Sequence, residues 1–328
     1  MRKIERNLSF KEYQNYREQA GVYPALKGLV INSSSLSDID EEKEKDSGSA
    51  ARFKYNYVED NKEKNSEAPA LTFGRALHAY VLEPETFEED YIVETEALHE
   101  LILSLANEEQ IANKRKPSEK FSKSLGAWKV FVADMKFECK EIISENVMRQ
   151  IEKMTASIMN EQIALDKNTV EIFKSKSYET EVSIFTDLRD MCGSKLPCKA
   201  RLDLIDPISN GGRGLIADVK SIGEWSPGRS LEGWKWYRQM AFYKDIAIAA
   251  DLIGDDCKCG WIFVEKSAPY EAQFHEAEDC LIKAGRIEYQ YLMHRIHDCA
   301  ENDVWPGHGK IKYPFKLERK LEEVQLLT

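Results

Sequence analysis

The stretch CKARLDLIDPISNGGRGLIADVKS, residues 198–221, decides the reading of this chain. Its ends, CKARLDLI (198–205) and GLIADVKS (214–221), alternate with the period of two that marks β-strands, and the Pro/Asn/Gly-rich DPISNGGR between them reads as a chain reversal. On the second strand Asp218 and Lys220 are two residues apart, so their side chains leave the same face while Val219 points into the apolar layer. A tight antiparallel return brings Asp203 beside Asp218, and two carboxylates and an ammonium converge at one end of a sheet.

Two carboxylates that close repel one another and call for a compensating cation, and ligation by oxygen suits a hard ion such as Mg²⁺, for which Mn²⁺ can substitute. Such an ion polarises a phosphate, lowers the pKa of a bound water and stabilises a leaving oxygen, the requirements of two-metal phosphodiester hydrolysis. Lys220 would orient or help deprotonate the water and offset charge developing at phosphorus. Taken alone, a D-x-K preceded by an aspartate fifteen residues earlier is common in a charged chain, and a surface salt bridge between strands accounts for it equally well.

Working outward, YETEVSIFT (178–186) is a third strand, which makes the region a β-meander. A long helical segment follows at Gly233–Ile253, then the strand-like CGWIFVEK, a further strand at Tyr270–His275 and a final helix from about Glu276 to Ala300. Upstream, Thr72 is placed to cap a helix in which Phe73, Leu77, Tyr80 and Val81 recur until Pro84, with His78 in its middle. Helices at Ser124–Cys139 and Glu145–Ala164 read as packing elements. Residues 36–68 are rich in charge and poor in aliphatics, which predicts an exposed connection carrying no core. The basic Lys114-Arg115-Lys116 precedes Pro117 and is either a solvated loop or a phosphate-contacting flap. The expected organisation is an N-terminal segment with a charged linker over 1–70, then a main domain over 71–328 with a helical insertion at about 107–175.

The chain has 328 residues, 42% of them hydrophobic, enough for a sizeable core. Its net charge of −11 argues against coating nucleic acid with the whole surface, because phosphate affinity comes from Lys and Arg displacing counterions. From Leu196 to Asp245, however, eight Lys or Arg face six Asp or Glu, so DNA contact would be local to that window. Seven scattered cysteines argue against a disulfide framework, and no leader or spanning segment is legible, so a cytoplasmic protein is expected.

Several ordered blocks go further: INSSSLSDID (31–40), LTFGRALHAYVLEPETF (71–87), ETEVSIF (179–185), CKARLDLI, LIADVKS, the helix Gln239-Met-Ala-Phe-Tyr243, and DVWPG (303–307). Together they resemble the exodeoxyribonuclease VIII (RecE) nucleases of the PD-(D/E)xK superfamily. The resemblance implies an α/β fold with a central mixed β-sheet, an antiparallel meander and flanking helices. It implies that His78, Asp203, Asp218 and the carbonyl of Val219 bind metal, and that Lys220 acts with the two aspartates in catalysis. Gln239 and Tyr243, with Arg201, Ser221 and Glu181, would support the site or contact DNA. Glu181 either assists the metal or pairs with Lys199 or Arg201. One departure is Leu202, where such nucleases often carry a proline before the first acid.

The implied activity is 5′ to 3′ digestion of linear double-stranded DNA, leaving a single strand for recombination with an annealing recombinase, by a homo-oligomeric ring in a bacterial or phage-infected cell. A catalytically silent DNA-binding or protein-interaction module on the same fold is the alternative. Cys257, Cys259, Cys280 and Cys299 raise an iron–sulfur reading, against which their wide spacing stands. His294 and His297 lack an obvious third ligand for zinc. Trp234, Trp236 and Tyr237 either stack on unpaired bases or anchor their helix in the core.

Overall fold

The alternating runs pair into a six-stranded sheet in a computed structural model of the chain. The structure describes residues 2–6, 8–18, 23–41, 48–61, 69–138, 140–160, 172–174, 177–208, 214–223 and 225–308. The sheet order is β1 (Arg2–Glu5), β4 (Glu179–Arg189), β5 (Lys195–Asp206), β6 (Leu215–Ile222), β7 (Lys258–Glu265) and β8 (Ala272–Glu276). Its neighbours pair antiparallel except β6 and β7, which are parallel, so the sheet is mixed and β4–β5–β6 is the expected meander. Strands β2 (Tyr91–Glu94) and β3 (Glu141–Ser144) form a separate parallel pair.

The flanking helices are α1 (Phe10–Asn15), α2 (Ser33–Ile39), α3 (Ala50–Phe53), α4 (Pro69–Leu82), α5 (Phe87–Asp90), α6 (Glu96–Ala112), α7 (Gly126–Phe137), α8 (Glu145–Met159), α9 (Pro227–Gly233), α10 (Trp236–Ala249) and α11 (Asp279–Asn302). Local chemistry starts several of them. Ser9 with Glu12 and Asn32 with Ser35 form capping boxes, and the hydroxyls of Thr95 and Ser144 accept the backbone N–H of Leu98 and Val147. Parallel strands need a crossover, and α9 with α10 supplies it between β6 and β7.

Each face of the sheet carries its own core. On one, Met240, Phe242 and Ile246 of α10 and Tyr289 and Met293 of α11 cover Trp261 and Phe263. On the other, Leu77 and Val81 of α4 and Ile151, Met154 and Ile158 of α8 cover Val219, Ile262 and Val264. Helices α10 and α11 approach closely at Gly285, where a Cβ would lie 2.5 Å from the carbonyl oxygen of Tyr237.

Two expectations are corrected. The charged stretch 36–68 does contribute core: Leu36, Ile39, Ala50, Phe53 and Val58 are buried against the α10–α11 face. Few apolar residues suffice because each is fully enclosed, and burying one large side chain contributes about 1.5–3 kcal/mol. Residues 42–47 and 62–68 of that stretch lie outside the described residues. The helix carrying His78 starts at Pro69, with the pre-set φ that proline brings to a first turn, so Thr72 lies inside it rather than at its cap.

The meander has one irregularity, and it positions the site. Leu202 packs in the α10–α11 core, Leu204 in the α4–α8 core and Ile205 in the α10–α11 core again. The alternation of β5 therefore changes phase around Asp203. On β4, Thr180 and Val182 pair with Leu204 and Leu202, so Glu181 falls opposite Asp203, at a left-handed φ of 51°. Such backbone is costly for a residue with a Cβ, and breaks in a ladder re-aim side chains.

Candidate active site

Strands β5 and β6 pair only from Asp206–Leu215 to Leu204–Ala217; the next positions along, Asp203 and Asp218, lie where the strands part. Beyond that point the backbone of Val219 is taken up by side chains. Its N–H donates to Asp203 Oδ2 at 2.8 Å, and its carbonyl oxygen lies 2.8 Å from His78 Nε2 on α4. His78 Nδ1 is 3.5 Å from the same Asp203 oxygen. His78, Glu181 and Asp203 each offer a ligand atom, and these atoms lie within 4.8 Å of one another. Lys220, two along from Asp218, forms an ion pair with it, as a shared strand face requires.

A family model described as a PDDEXK-like domain of unknown function (DUF3799) matches residues 32–315. The chain belongs to this PDDEXK-like family. None of the curated proteins matches it. Among solved structures it is similar to the crystal structure of a "Putative exonuclease" from Eubacterium rectale, with a TM-score of 0.53 and 15% identity over 90% of this chain and 91% of that one. At that identity the likeness is one of fold, and it agrees with the mixed sheet and meander described above.

The electrostatics of the cluster follow from burial. Asp218 is 2% exposed and Asp203 8%. Burial, and then the charge of Asp218, hold the Asp203 carboxyl well above the usual carboxylate range. Burial and then Asp203 push Glu181 up to about 7. Burial and then Lys220 lower His78, leaving its imidazole neutral and able to act as a ligand. For Lys220, burial acts against the charge, but Asp218 and then Asp203 outweigh it and its pKa is raised. Three acids thus crowd a buried space in which Lys220 is committed to Asp218 and Arg201 to Glu181. The donor set fits a divalent cation: oxygen from Asp203 and Glu181, nitrogen from His78, and a deficit of positive charge.

The remaining expected residues are placed around this cluster. Arg201, and not Lys199, is the cation paired with Glu181; it also donates to the carbonyl oxygen of Leu8 at 2.5 Å and lies 3.7 Å from Glu83. Lys199 is elsewhere, its buried ammonium donating to the carbonyl oxygens of Tyr13, Gln14 and Tyr16 at 2.7, 3.0 and 3.3 Å. On α10, Gln239 Nε2 donates to the Tyr243 hydroxyl at 2.8 Å, and burial with the nearby charge of Asp218 raises the Tyr243 pKa. Ser221 follows Lys220 on β6, and strand alternation turns it to the opposite face.

One neighbour was not legible as a site residue, and one of the three candidate aromatics lies beside the lysine. Glu83 belongs to the block LTFGRALHAYVLEPETF, but nothing in its spacing indicated Arg201 as its partner. Trp236 lies under Lys220, with Nζ 5.6 Å from its ring, and packs on Phe263 at 5.9 Å between centroids. Of the other two aromatics, Trp234 is 63% exposed, and Tyr237 donates its hydroxyl proton to Glu288 at 2.5 Å. The Lys114–Lys116 loop follows α6 and is exposed. Cys257, Cys259 and Cys299 are buried, and burial pushes their thiols up to about 11, 12 and 11, which suits packing. Among the described residues no helix is long and apolar enough to cross a membrane.

Proposed function

We propose that this chain is a Mg²⁺-dependent nuclease that hydrolyses phosphodiester bonds of double-stranded DNA. The observation that carries the proposal is the single buried cluster in which Asp203, Glu181, His78 and Asp218 meet beside Lys220 at the parting of β5 and β6. Carboxylates so buried stay ionised only with added positive charge.

Asp203, Glu181, His78 and the Val219 carbonyl would hold the cation, and Asp203 with Asp218 would complete a two-ion site. When bound, Mg²⁺ would supply Lewis-acid polarisation of the phosphate and a more acidic water. Lys220, kept charged by Asp218 and Asp203, donates hydrogen bonds: it orients the attacking water and offsets charge growing on the phosphate oxygens. Arg201 fixes Glu181 so that its carboxylate faces Asp203. Gln239 and Tyr243, joined to each other on α10, would support the aspartates from that side, and Gln239, the less buried of the two, would meet DNA.

The finer reading is exonucleolytic, 5′ to 3′ action on linear duplex, supplying single strands to an annealing recombinase in the cytoplasm. An acidic exterior around a locally basic segment suits a homo-oligomeric ring whose bore alone attracts DNA. The similar crystal structure's designation as a "Putative exonuclease" supports exonucleolytic action over nicking. The test incubates the chain with linear duplex, circular duplex and single-stranded DNA, in Mg²⁺ or in chelator, with duplex 5′ or 3′ end-labelled. Expected is loss of linear duplex only, from 5′ ends, in Mg²⁺. Survival of linear duplex, or degradation by Asp218→Ala as fast as by wild type, overturns the nuclease reading and leaves a silent binding module.

A further inference from the structure

A second cluster stands at the other end of β4, nine residues beyond Glu181 and therefore roughly 30 Å along the strand. Asp190 opens the β4–β5 turn. Its Oδ1 accepts the backbone N–H of Cys192 at 2.9 Å and of Ser194 at 2.8 Å, which leaves Oδ2 pointing to helix α11. There His294 and His297, three apart and so on one helix face, present their Nδ1 atoms to it at 3.1 and 3.7 Å.

The far sides of both rings are occupied. His294 Nε2 lies 3.3 Å from Asp298 Oδ2 and 3.6 Å from Cys192 Sγ, and His297 Nε2 lies 3.3 Å from Glu301 Oε1. A carboxylate behind each imidazole favours the tautomer with the proton on Nε2, which would turn the Nδ1 lone pair inward as a metal ligand needs. The Nδ1 atom of His297 is buried and makes no hydrogen bond among the described residues; its other neighbour is Asp298 Oδ1, at 3.7 Å. Simple ion pairing with Asp190 leaves that buried atom unsatisfied.

Spacing agrees with coordination. Tetrahedral arms of about 2.0–2.1 Å place neighbouring ligand atoms about 3.4 Å apart, and the two inward distances straddle that value. We propose that Asp190, His294 and His297 bind a divalent transition ion of the zinc class, with solvent in the fourth position, clamping the β4–β5 turn to α11. His294 is a quarter exposed, so solvent reaches the site. Two imidazoles and one carboxylate select zinc over the Mg²⁺ that suits the oxygen-rich cluster at Asp203.

The full chain, stripped with chelator, is titrated with zinc chloride alone, and zinc retained after gel filtration is counted. Asp203→Asn, used as the background, weakens the competing site. Expected is one retained zinc per chain in that background, with a raised Tm, and at least tenfold weaker binding when His297→Gln is added. Should His297→Gln fail to fold, His294→Gln, at a more exposed position, is expected to show the same loss. Equal zinc retention with either histidine replaced, or none in the Asp203→Asn chain, overturns the site. The readout does not use DNA, so this result and the nuclease test stand or fall separately.

Discussion

His78 on α4 reaches the carbonyl oxygen of Val219, 141 residues later, with Nε2 at 2.8 Å, while the N–H of that same residue is taken by Asp203. Both backbone polar groups of one β6 residue are thus held by candidate metal ligands. Such a residue couples metal binding to the seating of a helix on the sheet.

His78→Ala is therefore expected to weaken Mg²⁺ binding at least tenfold and to cost about 1 kcal/mol of stability through the lost hydrogen bond. Calorimetric titration with Mg²⁺ and thermal unfolding in chelator read the two effects separately. Unchanged Mg²⁺ affinity would remove His78 from the site.

Lys220 and Asp218 separate chemistry from stability. Lys220→Met leaves a buried carboxylate uncompensated and should destabilise by about 3 kcal/mol, with cleavage down by roughly 10²–10³-fold. Adding Asp218→Asn removes the stranded charge, so Tm should recover in the double variant while activity stays lost. A double variant as unstable as Lys220→Met would contradict this pairing.

The pH dependence has a definite sign. Glu181 is held at about 7 in the folded chain, well above an ordinary glutamate near 4.5, so the folded state keeps a proton that the unfolded state releases. Its contribution to stability is complete below about 4.5 and is lost as pH rises through about 7; Asp203 shifts in the same direction. In chelator, Tm should fall between pH 5 and pH 8. Because a bound cation displaces that proton, Mg²⁺ affinity should rise by roughly tenfold from pH 6 to pH 8. A Tm that rises over this range in chelator would reverse the assignment.

Away from the site, Arg238 of α10 donates to Asp40 at 2.5 Å and to Ser37 at 3.1 Å, both at or next to α2. Both charges are buried, and Glu288 is a second anion 3.7 Å from the guanidinium. Asp40→Ala should cost about 3 kcal/mol, the lower end for a broken buried pair because Glu288 remains. Denaturant unfolding measures it, and a loss below about 1 kcal/mol would show that the N-terminal segment is not fastened this way.

Much of this was legible without coordinates, for physical reasons. Strands β4, β5 and β6 announce themselves as short runs bounded by turn residues, and spacing alone puts Asp218 and Lys220 on one face. The core role of Leu36, Ile39 and Phe53 was hidden because the charge around them outweighs a few apolar positions in any window. What periodicity leaves undetermined is which faces meet. The phase change at Asp203, the left-handed Glu181 opposite it, the choice of Arg201 over Lys199, and the meeting of Asp190 with His294, 104 residues away, and with His297 all depend on packing. Sequence by itself determined the strands, the order of the candidate ligands and their family. Only the tertiary structure decided which carboxylates share a buried space, because burial and proximity, which shift their protonation, are properties of three dimensions.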